Sequence, residues 1–314
     1  MAEYISTKAP TDFILENDVL PLFVEERVRT SLQLLQIVGR RQAKDGQFDV
    51  VVEEPTYKEF KAANKKQRAG EASDFKRLKG LKPVYDSDKT KLNKYYVEYT
   101  KLKRENDTMG DIPREIADTA LMLAEDLNDE ILDKTIAYAQ GSAIPVGQLD
   151  WVNNPIEANV LIKNYLRDQD GHKYNLNQMF IVEERYEEFI KALYQPDYHI
   201  AFSNVYGTES ALIVGEDGVL MKINKLDLKY ADMGADYFAI DDTAEYGAIY
   251  SNLENWGFSY NTSALTEQGD VPIAYAEEET QNFNVTDMRT SVLSDAGFGI
   301  RAPRAVVKGD LVAH

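Results

Sequence analysis

Residues 111–141, DIPREIADTALMLAEDLNDEILDKTIAYAQG, hold the strongest helical pattern in the chain. Ile116, Ala120, Leu123, Leu127 and Ile131 recur at spacings of four, three, four and four, and Ala124 and Leu132 widen the stripe. That is the period of one buried helix face. Asp111 is placed to cap the helix, Pro113 suits its first turn, and Gly141 lies where it should stop. Roughly 28 residues at a rise of 1.5 Å predict a rod of about 42 Å. The opposite face carries Glu125, Asp126, Asp129, Glu130 and Asp133. The pattern is a structural spine with an anionic side.

Ahead of it, PLFVEERVRTSLQLLQIVGRR predicts a second helix. Val24, Val28, Leu32 and Leu35 form a narrow stripe, Pro21 suits the first turn and Gly39 the residue past the end. FDVVVEE, 48–54, predicts a strand. In KYYVEYTKLK, 94–103, Tyr95, Val97 and Tyr99 alternate with Tyr96, Glu98 and Thr100, which is the period of another strand. With a Lys-rich, Gly-dotted middle between them, these two predict a long hairpin standing away from a core. After Trp151 the pattern is mixed. A helix with Ala158, Leu161, Ile162 and Tyr165 on one face precedes a short buried strand at 179–182. A helix bearing Tyr186, Phe189, Ile190 and Leu193 follows. ALIVGEDGVLMKI reads as a hairpin turning at Asp217-Gly218. Residues 230–270 read as loops and short strands, and the end of the chain returns to strands.

Composition narrows the class. The 314 residues, 44% hydrophobic and 11% aromatic, suffice for a sizeable core in one large domain or two. No apolar run is long enough for a transmembrane helix, and the first twenty residues lack a secretory signal. With no cysteine there are no disulfides and no thiolate metal sites. The net charge of -18 and a pI near 4.7 argue against general nucleic-acid binding and hint at a salt-loving host.

That charge is unevenly spread. Residues 56–104 hold fifteen Lys and Arg against six acids, an excess of nine, which leaves -27 on the remainder. NKKQRAG, 64–70, lies at the centre of this cation. The segment can be a solvated loop, a nucleic-acid contact, or a projection that lies on an acidic surface of a second copy. The body and the segment are complementary, so self-association needs no outside partner.

Catalytic signatures are thin. His172, His199 and His314 form no metal motif, and no phosphate loop, nucleophile elbow or dinucleotide fingerprint occurs. The DSD at 86–88 and Asp241-Asp242 could help to hold a cation, but neither has the spacing of a calcium loop. Trp151, Trp256 and the tyrosines could line a sugar site, with packing as the plainer use. Asn261-Thr-Ser and Asn284-Val-Thr are glycosylation sequons at near-chance frequency.

The order of parts resembles the major capsid proteins of tailed bacteriophages and tailed archaeal viruses, the Hong Kong 97-like fold, which encapsulin shells share. Three stretches carry the resemblance: IPREIADTALMLAEDLNDEILDKTIAYAQ, NQMFIVEERYEEFIKAL and VTDMRTSVLSDAGFGIRAPRAVVKGD. It implies an α+β fold with an N-terminal arm at 1–46 and an extended β-hairpin loop at 47–110. A peripheral domain would take 111–149 and 276–314, with the spine helix at 111–140, and a mixed α/β axial domain would take 150–275.

The function implied is structural: a virion subunit that self-assembles, as pentamers and hexamers, into an icosahedral head around packaged double-stranded DNA. Assembly in the host cytoplasm, a portal, a separate or absent scaffold, and decoration proteins are expected partners and setting; no membrane, cofactor, catalytic or metal residue is implied. The chain begins at the arm, which is why scaffolding is expected elsewhere. Inter-subunit contacts fall to Lys61, Lys65, Lys66, Arg68, Lys76, Arg77, Lys79 and Lys82 on the loop. Glu125, Asp126, Asp129 and Asp133 are their counterparts on the spine. Some relatives cross-link through a Lys-Asn bond, but no motif assigns such a pair here. An encapsulin-like cargo shell and a carbohydrate-acting enzyme are the alternatives.

Overall fold

The computed structural model describes residues 34, 37–64, 80–107, 110–170, 174–193, 199–205, 208–215, 218–226, 234–252, 273–282 and 285–312. In chain order the first half forms β1 (Gly39–Gln42), β2 (Gln47–Glu53), α1 (Tyr57–Ala63), β3 (Val84–Lys89), β4 (Lys91–Thr100), α2 (Lys101–Asn106), α3 (Asp111–Tyr138) and β5 (Gln140–Gly141). The second half forms α4 (Pro155–Asp170), β6 (Gln178–Val182), α5 (Glu183–Leu193), β7 (His199–Val205), β8 (Thr208–Gly215) and β9 (Gly218–Leu226). It ends with β10 (Tyr237–Ile240), β11 (Gly247–Ser251), β12 (Ala274–Asn282), β13 (Val285–Ile300) and β14 (Val306–Gly309).

The predicted spine is α3, 28 residues long, and every residue of its predicted stripe is buried. Its start differs from expectation. Gly110 turns the chain with φ 70°, and Asp107 caps the helix by accepting from the amides of Asp111 (3.0 Å) and Ile112 (2.9 Å). A left-handed turn is cheap only for glycine, and it brings the carboxylate of Asp107 back over the open amides. The helix stops at Tyr138, ahead of Gly141, which lies in β5.

α3 lies across a five-stranded sheet whose trunk is β13. One edge of β13 pairs with β4, from Asp287 opposite Thr100 to Ala296 opposite Lys91. The other edge takes β12 along its first part and β11 along its end, and β1 runs parallel beside β11. A seven-stranded sheet runs β5-β14-β10-β6-β9-β8-β7. The inner strands QMFIV and YFAI are buried on both faces, so they read as continuous apolar runs. Phe180 stacks on Phe238 at 4.9 Å between them. Trp151 meets Phe189 edge-on at 4.8 Å in this core, so it serves packing and lines no open sugar site. β4 and β5, β10 and β11, and β13 and β14 are consecutive yet enter different sheets, so three crossings among the described strands stitch the two larger sheets together.

The hairpin is real, but its returning strand is not the expected one. β2 pairs with β3, from Gln47 opposite Lys89 to Glu53 opposite Val84, while 94–100 belongs to the core strand β4 and 101–103 to α2. β4 leaves the loop because Val97 and Tyr99 have a buried face to fill, and the Tyr99 hydroxyl bonds Thr290 at 2.8 Å. Trp256, His172, His314, the asparagines of both sequons and most of the predicted N-terminal helix lie outside the described residues.

Candidate functional site

The root of the β2–β3 ribbon is fixed by shape. Phe48 stacks flat on Tyr250, with centroids 4.3 Å apart and planes 4° from parallel. Gly297 and Gly299 form its floor, where an added Cβ would sit 2.9 Å from the Phe48 ring at either position. Alternation then sends Phe298, between them, to the opposite face and into the main core.

Electrostatics fixes the same root. The Lys134 ammonium on α3 donates to Asp88 of β3 at 2.8 Å and to the Phe298 carbonyl of β13 at 2.8 Å, and pairs with Glu130 at 2.8 Å. Lys91 reaches the second oxygen of Glu130 at 3.3 Å. Burial pulls the Lys134 pKa down, but the bonds to Asp88 and Glu130 outweigh it, and the net shift is upward. Burial likewise pushes Asp88 up, and the Lys134 and Lys89 bonds bring it below its ordinary value.

Beyond the root, the described part of the ribbon and α1 is largely exposed. Of the fourteen exposed large hydrophobic side chains among the described residues, Val52, Tyr57, Phe60, Leu81, Val84 and Tyr85 lie on or beside the ribbon and α1, and Leu92, Tyr95, Tyr96 and Leu102 lie on β4 and α2. Helix α1 has no buried residue and is held by its own capping box. The Thr56 amide donates to Glu59 at 2.8 Å, and the Glu59 amide donates to the Thr56 hydroxyl at 3.0 Å. Tyr57 and Phe60 stack on its outside at 6.5 Å, and Lys61 sits 5.6 Å from the Tyr57 ring. Lys82 lines a cavity of about 860 Å³ under α1, between the ribbon, the end of α3 and Arg304. Lys65, Lys66, Arg68, Lys76, Arg77 and Lys79 lie outside the described residues.

The acidic spine residues gather at a second concavity, of about 430 Å³. Asp126, Asp129 and Asp133 rim it, Leu123, Leu127 and Ala296 line it, and Glu130, Lys91 and Lys134 complete it. Asp126 and Asp133 are exposed, and among the described residues no cation pairs with either. Glu125 lies on the same helix and outside the groove. Sequence reasoning missed Lys134, whose only local signal was the spacing of four from Glu130.

Among the described residues no group of three or more acids or histidines is placed to hold a metal. Asp241 and Asp242 instead accept hydrogen bonds from Asn175, Thr243, Asn177 and Gln178 and brace a turn. No helix among them is long and apolar enough to cross a membrane. What the geometry offers is surface: a ribbon and helix α1 with exposed apolar side chains, and an acidic groove at the ribbon's root.

No family model matches the chain, and no curated protein matches it in sequence. Solved structures do match. The virus-like particle subunit from Pyrococcus furiosus overlays 98% of this chain and 99% of its own at 12% identity, with a TM-score of 0.52. The fold is the Hong Kong 97-like capsid fold. The encapsulin of Synechococcus elongatus (9% identity, 87% and 85% covered, TM-score 0.49) and the capsid of cyanophage P-SCSP1u (8%, 88% and 87%, 0.47) also match. α3 is the long spine helix of this fold.

Proposed function

We propose that the chain is a shell-forming capsid subunit of a tailed virus and that its activity is assembly. The observation that carries this is the set of exposed apolar side chains on and beside the β2–β3 ribbon and α1, Val52, Tyr57, Phe60, Leu81, Val84 and Tyr85, together with the excess of positive charge in residues 56–104. Large exposed apolar patches mark interaction sites, and a loop with so little of its own to bury is stable only against a partner. The anionic remainder of a second copy supplies the opposite charge. The Pyrococcus furiosus neighbour is itself a virus-like particle.

In this reading residues 1–46 are the arm and 47–110 the extended loop, with the peripheral and axial parts as the fold's chain order implies. The loop cations, Lys61 to Lys82, lie over the spine acids Glu125, Asp126, Asp129 and Asp133 of a neighbour. A portal, scaffold and decoration proteins, assembly in host cytoplasm and packaged double-stranded DNA complete the virion.

Light scattering on a sizing column, followed by negative-stain microscopy, tests it. Closed particles of megadalton mass are expected, with DNA in particles taken from infected cells. A 35.6 kDa species at every salt concentration, unchanged by coexpression with candidate scaffolds, overturns the reading. Protein cargo in place of DNA makes the shell encapsulin-like.

A further inference from the structure

The acidic groove and the ribbon root share one side chain. Lys134 lines the groove and also holds Asp88 of β3, while Lys91, next to the ribbon, occupies the other oxygen of Glu130. Two of the subunit's own cations therefore already sit in the surface that a basic segment would enter. We propose that Lys91 and Lys134 are a built-in competitor, so that filling the groove with the basic segment of a second copy loosens the ribbon of the copy that receives it. This deepens the docking reading above and rests on it.

The argument is electrostatic. The segment 64–82 carries seven cations against two acids, and the groove offers Asp126 and Asp133 exposed on its rim above an apolar floor. An arriving cation on Glu130 displaces Lys91 first, because that side chain is 66% exposed and its pair is the longer one, at 3.3 Å. The same cation repels Lys134 and takes a share of its acceptor. The hold on Asp88, which is 42% exposed, weakens in turn. By linkage the effect is reciprocal: a subunit with a pinned ribbon has a weaker groove, and one with a freed ribbon has a stronger groove. Occupancy of one groove thereby prepares the next loop for its own neighbour, which is a route to cooperative assembly without any change in the core.

The test uses full-chain protein and a synthetic peptide of residues 64–82. Fluorescence anisotropy should show binding that is lost when Asp126, Asp129 and Asp133 are changed to Asn. Lys91→Gln should bind about threefold tighter, the scale of one exposed ion pair. Hydrogen exchange across residues 84–89 should quicken at saturating peptide in the native protein. Lys134→Gln should exchange quickly from the outset and gain nothing from the peptide. Equal or weaker binding by Lys91→Gln, or binding with no change at 84–89, overturns the competitor and leaves the shell reading standing. No binding by any variant overturns the occupant of the groove as well, and the sizing experiment still decides the shell. If Lys134→Gln fails to fold, the exposed Lys91→Gln variant and the native exchange data decide alone.

Discussion

The Lys134 ammonium lies 2.8 Å from the Asp88 carboxylate, and this contact helps to tie the ribbon to the spine helix. The flat stack of Phe48 on Tyr250 lies beside it, and the ammonium is 6.0 Å from the Phe48 ring. A two-stranded ribbon is marginal alone, so its angle to the body is set where packing and charge coincide.

Lys134→Met should cost about 2 kcal/mol in denaturant unfolding. Removing one partner leaves the largely buried Glu130 with less compensation, although partial exposure of Asp88 tempers the loss. The pH dependence has two edges. Asp88 titrates below its ordinary 3.8 when folded, so its contribution is present at neutral pH and fades as acid carries the solution through the folded value. Lys134 titrates above 10.5 when folded, so its contribution is full below that value and fades as base carries the solution past the folded one. The gap between native and variant should be flat at neutral pH and narrow at both extremes. A gap that persists unchanged into strong acid would assign the loss to packing.

Gly299→Ala should destabilise by about 2 kcal/mol, because the new methyl meets the Phe48 ring at 2.9 Å and, at 3.0 Å, the Tyr250 ring stacked on it. Phe48→Ala alone should cost about 3 kcal/mol. In the double variant the clash with Phe48 is gone and Tyr250 has room to shift, so the two losses should fall short of adding. Additive losses in a double-mutant cycle would mean that the glycine serves the backbone instead.

Asp107→Ala should cost about 1 kcal/mol in stability, since its carboxylate accepts from two open amides of α3. Asp111→Ala, at the position that looked like the cap, should cost less. Equal losses would return the capping role to Asp111.

What was legible in the sequence was local. The stripe of α3 repeats within one helix and came through residue by residue, as did the buried strand 179–182 with the helix after it. β3 was invisible because VYDSDK has no apolar alternation; it is held by its ladder to β2 and by an ion pair from Asp88 to a residue 46 positions away. Tyr99 alternates correctly as a strand residue, yet its hydrogen-bond partner Thr290 is 191 residues on, so nothing nearby could say that β4 joins the core and not the hairpin. The cap was misassigned because the left-handed turn at Gly110 lets Asp107 reach back. A division by chain order also cannot see that β11 pairs with β13 while β14 pairs with β10. On the groove, the acids were readable from helical spacing, whereas the lysines that share it come from a strand and from the helix's own fourth neighbour.

Charge separates assembly from folding, and two sets of variants should rank in opposite ways from the ribbon-root changes. Lys65, Lys66 and Arg68 changed together to Glu should leave the melting temperature of the unassembled subunit nearly unchanged and strongly reduce shell yield. Asp126, Asp129 and Asp133 changed to Asn should do the same, because the side chains of Asp126 and Asp133 are exposed and serve no pair among the described residues. Combining acidic loop and neutral spine should not restore shells, whereas a loop made acidic and a spine made basic should restore them in part, since complementarity and not sign is what the contact requires. Long-range attraction is screened within about 3 Å at molar salt, so in concentrated salt only the close pairs count and the single sets should be milder there. Scattering mass against salt concentration, read beside calorimetric melting, checks the ranking. A fall in melting temperature larger than the loss of shells would mean that these charges hold the subunit together, not its neighbours.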